Sequence, residues 1–126
     1  MATTLDEFLA LPDVENEEYT VKIDRLGELV VKPMTYDQFT NYQNRARLKS
    51  KLNIDTGKLN LLILAGQIVS PNFSNAEFLA KANCQTAQDF IKKKFKAGEI
   101  TEIASQIIKY SGFDVDFEDK VEEAKN

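Results

Sequence analysis

The sequence contains no histidine and no tryptophan, and only one cysteine among its 126 residues. Histidine is the commonest general base and metal ligand near neutral pH, so its absence excludes Ser-His-Asp and Cys-His catalysis. Cys84 alone supplies neither an internal disulfide nor a zinc site, because structural zinc needs several cysteine or histidine ligands. We therefore expect no metal, no cofactor and no enzymatic activity.

Glycine and long apolar runs are also scarce. The five glycines are scattered and form none of the phosphate-binding loop patterns. The longest apolar run, residues 61–65, is far shorter than the roughly 20 residues of a membrane-spanning helix. No secretory signal is present at the start of the chain. These absences predict a cytoplasmic protein without a membrane partner.

What is present is enough apolar material for one hydrophobic core. Apolar residues make up 43% of the chain, with eight phenylalanines and four tyrosines. A chain of this length has the usual size of one domain. We expect a single domain over residues 1–126, with a short helix and a β-hairpin in 1–33, a helical core in 34–112 and an acidic C-terminal helix in 113–126.

The hydrophobic periodicity predicts a mainly α-helical α+β fold of five to seven helices with an N-terminal β-hairpin. The hairpin is indicated by YTVKI and ELVVKP, which are separated by the turn-like DRLG. Because an isolated hairpin is marginal in water, it should lie on the helices or add strands to another molecule.

Helix positions are indicated by capping patterns and by apolar stripes. Thr4, Thr35 and Ser74 are each followed three residues later by Glu or Gln, which predicts capping boxes at three helix starts. The segment KLNLLILAGQIVS, residues 58–70, is apolar on nearly all sides and is expected to form the central helix. Gly112 should cap the end of the isoleucine-rich helix EITEIASQIIKYSG.

Charge is divided along the chain. Residues 1–32 carry eight acidic and three basic residues, residues 33–98 carry four and ten, and residues 99–126 again carry eight and three. A basic middle between acidic ends has two interpretations. The charges pair within the molecule, or they form surfaces of opposite sign that are presented to other chains.

The basic stretches RARLKSK and KKKFK raise nucleic acid as a partner, because lysine and arginine neutralise phosphates. Phe90 and Phe95, however, share a helical stripe with Ala87 and Ile91. They are therefore expected in the core rather than as exposed platforms for bases. The overall acidity also argues against a nucleic-acid partner.

Three stretches, VSPNFSNAEF, KKKFKAGEITEI and SGFDVDFEDKVEEAKN, resemble the XkdN-like phage tail assembly chaperone family, found in phages and prophages of Gram-positive bacteria. In that family an apolar helix leads into a Val-x-Pro-Asn-Phe-like segment, here residues 69–73. FLALPDVE and VKPMTYDQF are similar too, so the likeness spans most of the chain. One departure is the Leu-Pro-Gly-Glu-like break, which lacks its proline at residues 96–99.

The resemblance implies a non-catalytic chaperone that binds the phage tape measure protein and keeps it soluble during tail assembly in the bacterial cytoplasm. It implies no small-molecule substrate; the tail tube protein and a second copy of the chain are further partners to consider. Two other classes stay open: a small structural component retained in the virion, and a small nucleic-acid-binding regulator.

Candidate partner contacts are apolar residues of the hairpin and of the terminal segment. Side chains of this kind are more often core residues than contacts. They are Tyr19, Val21, Ile23, Phe113, Phe117 and Val121.

Overall fold

The computed structural model describes residues 4–48 and 53–113. The predicted fold class is confirmed, because the described chain forms six α-helices and one small antiparallel sheet near its N terminus. The expected helix over residues 113–126 lies, from residue 114 onward, outside the described residues. In chain order the elements are α1 (Leu5–Leu9), β1 (Tyr19–Ile23), β2 (Gly27–Val31), α2 (Tyr36–Arg45), α3 (Thr56–Gln67), β3 (Ile68–Ser70), α4 (Ala76–Lys81), α5 (Ala87–Lys94) and α6 (Ala97–Tyr110).

β1 and β2 form the predicted hairpin, and β2 is the central strand of the sheet. Val21 pairs with Leu29, and both side chains are buried in the core. At the start of β1, the ring of Tyr19 stacks on Tyr110 of α6 with centroids 4.2 Å apart. The hairpin is thus stabilised by helices of its own chain, which is one of the two outcomes expected for so small a ribbon.

The third strand corrects the prediction of one helix through residues 58–70. The helix ends at Gln67, and β3 continues directly from it, antiparallel to β2. The first two residues of β3 are β-branched, and its last residue precedes a proline, which disfavours helical backbone at that position. The backbone amide of Lys32 donates to the carbonyl of Gln67 at 2.9 Å, so β2 pairs with the chain as soon as the helix ends.

The predicted caps Thr4 and Thr35 are confirmed as helix starts, although only Thr35 forms a complete capping box. The capping box at α2 is confirmed: Thr35 Oγ1 accepts from the Gln38 amide, and the Gln38 side chain accepts from the Thr35 amide. The prediction at Ser74 is wrong by one residue, because Asn75 caps α4 and accepts a first-turn amide at 3.0 Å. Serine and asparagine cap equally well. Ser74 instead donates its amide to the side chain of Asn72 in the preceding turn.

α3 is the centre of the core, as predicted. Its residues Leu62, Ile63 and Leu64 are at most 2% exposed, and α2, α5 and α6 pack against this helix. The predicted isoleucine stripe of α6 faces α3 and supplies further buried side chains. Gly112, with a φ of +99°, follows the end of α6 as the expected left-handed cap.

One buried polar cluster joins three elements inside this core. The Tyr42 hydroxyl of α2 donates to Gln67 Oε1 at 2.6 Å. Gln67 Nε2 in turn donates to the carbonyls of Lys32 and Pro33 at 3.0 and 3.1 Å. Gly66 makes room for this arrangement, because a Cβ at that position would collide with the Tyr42 hydroxyl.

We expect Gly66→Ala to destabilise the fold. The added methyl group must displace the Tyr42 ring, and a Gln67 oxygen left unpaired in the core costs about 1–3 kcal/mol. Gly57→Ala in the same helix is the matched control, because the nearest atom to its Cβ is Asp55 Oδ1 at an ordinary 3.5 Å. It should stabilise by about 0.4–1 kcal/mol through the entropy of the unfolded chain. Urea unfolding measures both, and equal effects of the two substitutions would contradict the close contact.

Candidate protein-binding surface

Exposed large apolar side chains of the described chain concentrate in one stretch, residues 5–14, which we name the N-terminal apolar segment. None of the residues of α1 is buried. Such a cluster on a folded protein is typical of a surface that contacts another polypeptide. The exposed side chains are Leu5, Phe8, Leu9, Leu11 and Val14, and their exposed fractions range from 43% to 84%.

The local sequence explains why this segment forms a helix and stays outside the core. Thr4 Oγ1 accepts from the Glu7 amide at 3.2 Å and begins the helix. The three- and four-residue spacing then places Leu5, Phe8 and Leu9 on one face. Four acidic residues follow within residues 13–18 and favour solvent. A helix of five residues is not stable alone in water.

The sequence predicted the helix but not its exposure. The sequence feature that indicates this exposure is a very short apolar helix separated from the rest of the chain by an acidic spacer. Such a helix contributes little to a core that longer helices already fill.

The predicted contacts on the hairpin are only partly accessible. Val21 has no exposed surface, while Tyr19 and Ile23 are half-buried against the core. The Tyr19 hydroxyl donates to the Glu17 carboxylate at 3.4 Å. The negative charge of Glu17 raises the pKa of Tyr19, so this phenol stays protonated at neutral pH. Tyr19 and Ile23 therefore offer small surfaces beside a buried Val21.

The predicted contacts of the terminal segment are described only at its beginning. Phe113 is 37% exposed, and its ring lies 5.0 Å from that of Phe39 on α2. Phe117 and Val121 lie outside the described residues. Phe113 is thus partly accessible while its ring contacts Phe39.

A second apolar surface is a groove of about 290 Å³ beside the hairpin turn, which we name the phenylalanine groove. The ring of Phe73 lies 5.3 Å from Phe90 and 5.8 Å from Phe95, so three aromatic side chains support one another in its wall. Its apolar lining is Leu26, Leu29, Pro71, Phe73, Phe90 and Phe95, and its cationic lining is Arg25 and Lys94.

The two cations of the phenylalanine groove differ in their partners. Arg25 forms a bidentate ion pair with Glu99, with nitrogen–oxygen distances of 2.9 and 2.6 Å, and also donates to the Lys94 carbonyl. The hydrogen bonds from Arg25 lower the pKa of Glu99, which keeps its carboxylate ionised. The ammonium group of Lys94 has no ion-pair partner among the described residues. Lys94 is therefore the positive charge that this groove offers to a ligand.

Other kinds of site find little support in the described chain. Residues 4–48 and 53–113 hold no group of acidic or thiol side chains arranged for a metal ion. Over the same residues, no helix has the length and apolar character needed to cross a membrane. Cys84 is a partly buried free thiol with its sulfur 3.5 Å from the Ala82 carbonyl oxygen. Phe90 and Phe95 pack among aromatic rings, as predicted, rather than standing open to nucleic-acid bases.

The fold and its two apolar surfaces are those of a small protein that can bind other polypeptides. The chain belongs to the phage XkdN-like tail assembly chaperone family, whose model matches residues 5–125. Family membership confirms the resemblance seen in the sequence. The family is one of chaperones of tail assembly rather than of enzymes.

A comparison with solved structures supports the fold independently. The chain is similar to the crystal structure of the protein YqbN, a structural genomics target, with a TM-score of 0.66 at 19% sequence identity. The match covers 90% of this chain and 100% of that one. No curated protein sequence matches the chain.

The Arg25–Glu99 ion pair predicts a pH dependence of stability. Because the pKa of Glu99 is lowered in the folded protein, its contribution is present above the unfolded-state pKa and is lost as the pH falls through the folded-state value. We expect Glu99→Gln to unfold more easily than the parent at neutral pH, with the difference beginning to shrink near the unfolded-state pKa of about 4.3 and disappearing below the lower folded-state value. Urea unfolding across this range measures the effect.

The exposed pair Lys22–Glu28, at 3.7 Å, provides the control for that experiment. Lys22→Gln should change stability little at any pH, because exposed ion pairs are screened by solvent. A pH-independent difference between Glu99→Gln and the parent would show that the carboxylate charge is not what stabilises this contact.

Proposed function

We propose that this protein binds the tape measure protein of its phage and keeps it soluble during tail assembly, without catalysis. Membership of the chaperone family supports the role. The observation that carries the mode of binding is the exposure of the N-terminal apolar segment. The family resemblance implies a tape measure protein that is long, hydrophobic and rich in helix, so its apolar stripes need cover before the tail tube forms around it.

The N-terminal apolar segment has the chemistry for this contact. Leu5, Phe8 and Leu9 form one apolar face, and packing such a face along an apolar stripe of a partner helix removes both surfaces from water. Each side chain that becomes fully buried contributes about 1.5–3 kcal/mol. The acidic residues within the segment and directly after it keep it hydrated while it is unoccupied.

The remaining candidate contacts extend this proposal. Tyr19, Ile23 and Phe113 would add small contacts from their exposed parts, and Phe117 and Val121 remain proposed contacts of the terminal segment. Val21 would act from the core by supporting the hairpin rather than by touching a partner. The complex would form in the bacterial cytoplasm, and the tail tube protein would displace the chaperone as it polymerises.

Co-expression with the tape measure protein tests the proposal. The soluble fraction of the tape measure protein should rise with the parent chain and fall with the double variant Phe8→Ser, Leu9→Ser. Losing two apolar contacts should weaken binding by about a hundredfold or more. The purified variant should unfold like the parent, because α1 buries none of its residues.

Tyr36→Ser is the matched control, because Tyr36 is as exposed as Leu9, at 83%, but lies on α2. It should leave the tape measure protein in the soluble fraction. If that protein is equally soluble without any copy of this chain, the chaperone proposal fails. If the double variant solubilises it fully, the N-terminal apolar segment is not the contact.

A further inference from the structure

We propose that free copies of this protein associate head to tail, with the N-terminal apolar segment of one copy docked in the phenylalanine groove of the next. This contact goes beyond the proposed function, since it requires no tape measure protein. It follows from two uncovered surfaces of the described chain that are complementary in both apolar character and charge.

The docking element combines an apolar face with negative charge. Residues 4–18 contain six acidic residues and no basic one. On α1, Asp6 lies one position, or about 100°, from Leu5 and so borders the apolar face formed with Phe8 and Leu9. Any surface that covers this face therefore meets the Asp6 carboxylate at its edge.

The phenylalanine groove has the matching chemistry. Phe73, Phe90 and Phe95 provide apolar walls, and Lys94 provides a cation without an ion-pair partner among the described residues. The nearby carboxylate of Glu99 does not oppose an acidic ligand, because Arg25 neutralises it. At about 290 Å³ the groove is at the small end of ligand sites, and its size suits one or two large side chains of a docked segment.

Neither Asp6 nor Lys94 belongs to an ion pair of the described residues. The pairs seen there are Arg25–Glu99, which joins the two acidic ends of the chain, and Lys22–Glu28, which lies within the first of them. The charges of Asp6 and Lys94 are therefore available to a surface of opposite sign on another chain. α1 has no buried residue, so it does not occupy the groove of its own copy. A second copy provides a phenylalanine groove for the N-terminal apolar segment, and a third copy provides a segment for the groove that remains free.

The geometry of this contact determines the kind of assembly. Two different surfaces meet, so the contact is heterologous, and successive copies add head to tail as an open chain unless the rotation between them closes a ring. A short segment buries less than the roughly 1,000 Å² of stable interfaces, so we expect a Kd between about 10 µM and 1 mM. Added salt should weaken it, because part of the attraction is between exposed charges.

Sedimentation velocity of the full chain over a concentration series tests the proposal. The average mass of the parent should rise with concentration, and Lys94→Glu or Asp6→Lys alone should weaken association by about fivefold or more. An equimolar mixture of the two variants should associate again, because the lysine at position 6 of one chain then faces the glutamate at position 94 of the other. Phe8→Ser should abolish association.

Lys92→Glu is the matched control, because it makes the same charge change on α5 at a residue that does not line the phenylalanine groove. It should associate like the parent. A sedimentation coefficient of the parent that does not change with concentration would overturn the proposal. So would a mixture that fails to restore association, or a Lys92→Glu effect equal to that of Lys94→Glu. These measurements use the chaperone alone. A negative result would therefore overturn self-association without affecting the proposed binding of the tape measure protein, and a negative co-expression result would leave self-association untouched.

Discussion

The burial of the middle of α3, at Leu62, Ile63 and Leu64, organises the packing of the other elements. A helix without a polar face must be covered by several elements, and here α2, α5 and α6 cover it while β3 carries its end into the sheet. Leu62, Ile63 and Leu64 accordingly have almost no exposed surface. Because these elements fill the space around α3, α1 lies outside the core and its apolar face is exposed to solvent.

The buried polar cluster at the end of α3 joins this core to the sheet. Gln67 is the last residue of the helix, and its side chain binds the Tyr42 hydroxyl and two carbonyls at the end of β2. A buried amide with all of its partners present specifies one arrangement of its neighbours, because any other leaves polar atoms unsatisfied in a medium of low dielectric. The change from helix to strand therefore occurs at a defined residue, and the hairpin is held at a defined distance from α2.

Electrostatics then divides the surface. The Arg25–Glu99 pair joins the hairpin turn to the first turn of α6. The two charges neutralise each other beside the phenylalanine groove. Lys94 keeps its charge beside that groove, and the acidic residues keep theirs beside the N-terminal apolar segment. The described residues thus present two small apolar surfaces with charges of opposite sign rather than one large patch, which limits non-specific aggregation.

Features that depend on neighbouring residues could be predicted from the sequence: the hairpin, the capping box at Thr35, the apolar central helix, the isoleucine stripe of α6 and the motifs of the family. Backbone preferences and side-chain periodicity act over a few residues, so they can be read directly from the chain. The end of α3 depends on tertiary structure, because pairing with β2 replaces a further turn of helix. The exposure of α1 also depends on it, because longer helices fill the core. Tertiary structure also assembled the phenylalanine groove from the hairpin turn, the loop after β3 and α5. Residues so far apart in the chain become neighbours only when the core packs, because burial is a property of the whole arrangement and not of any one segment.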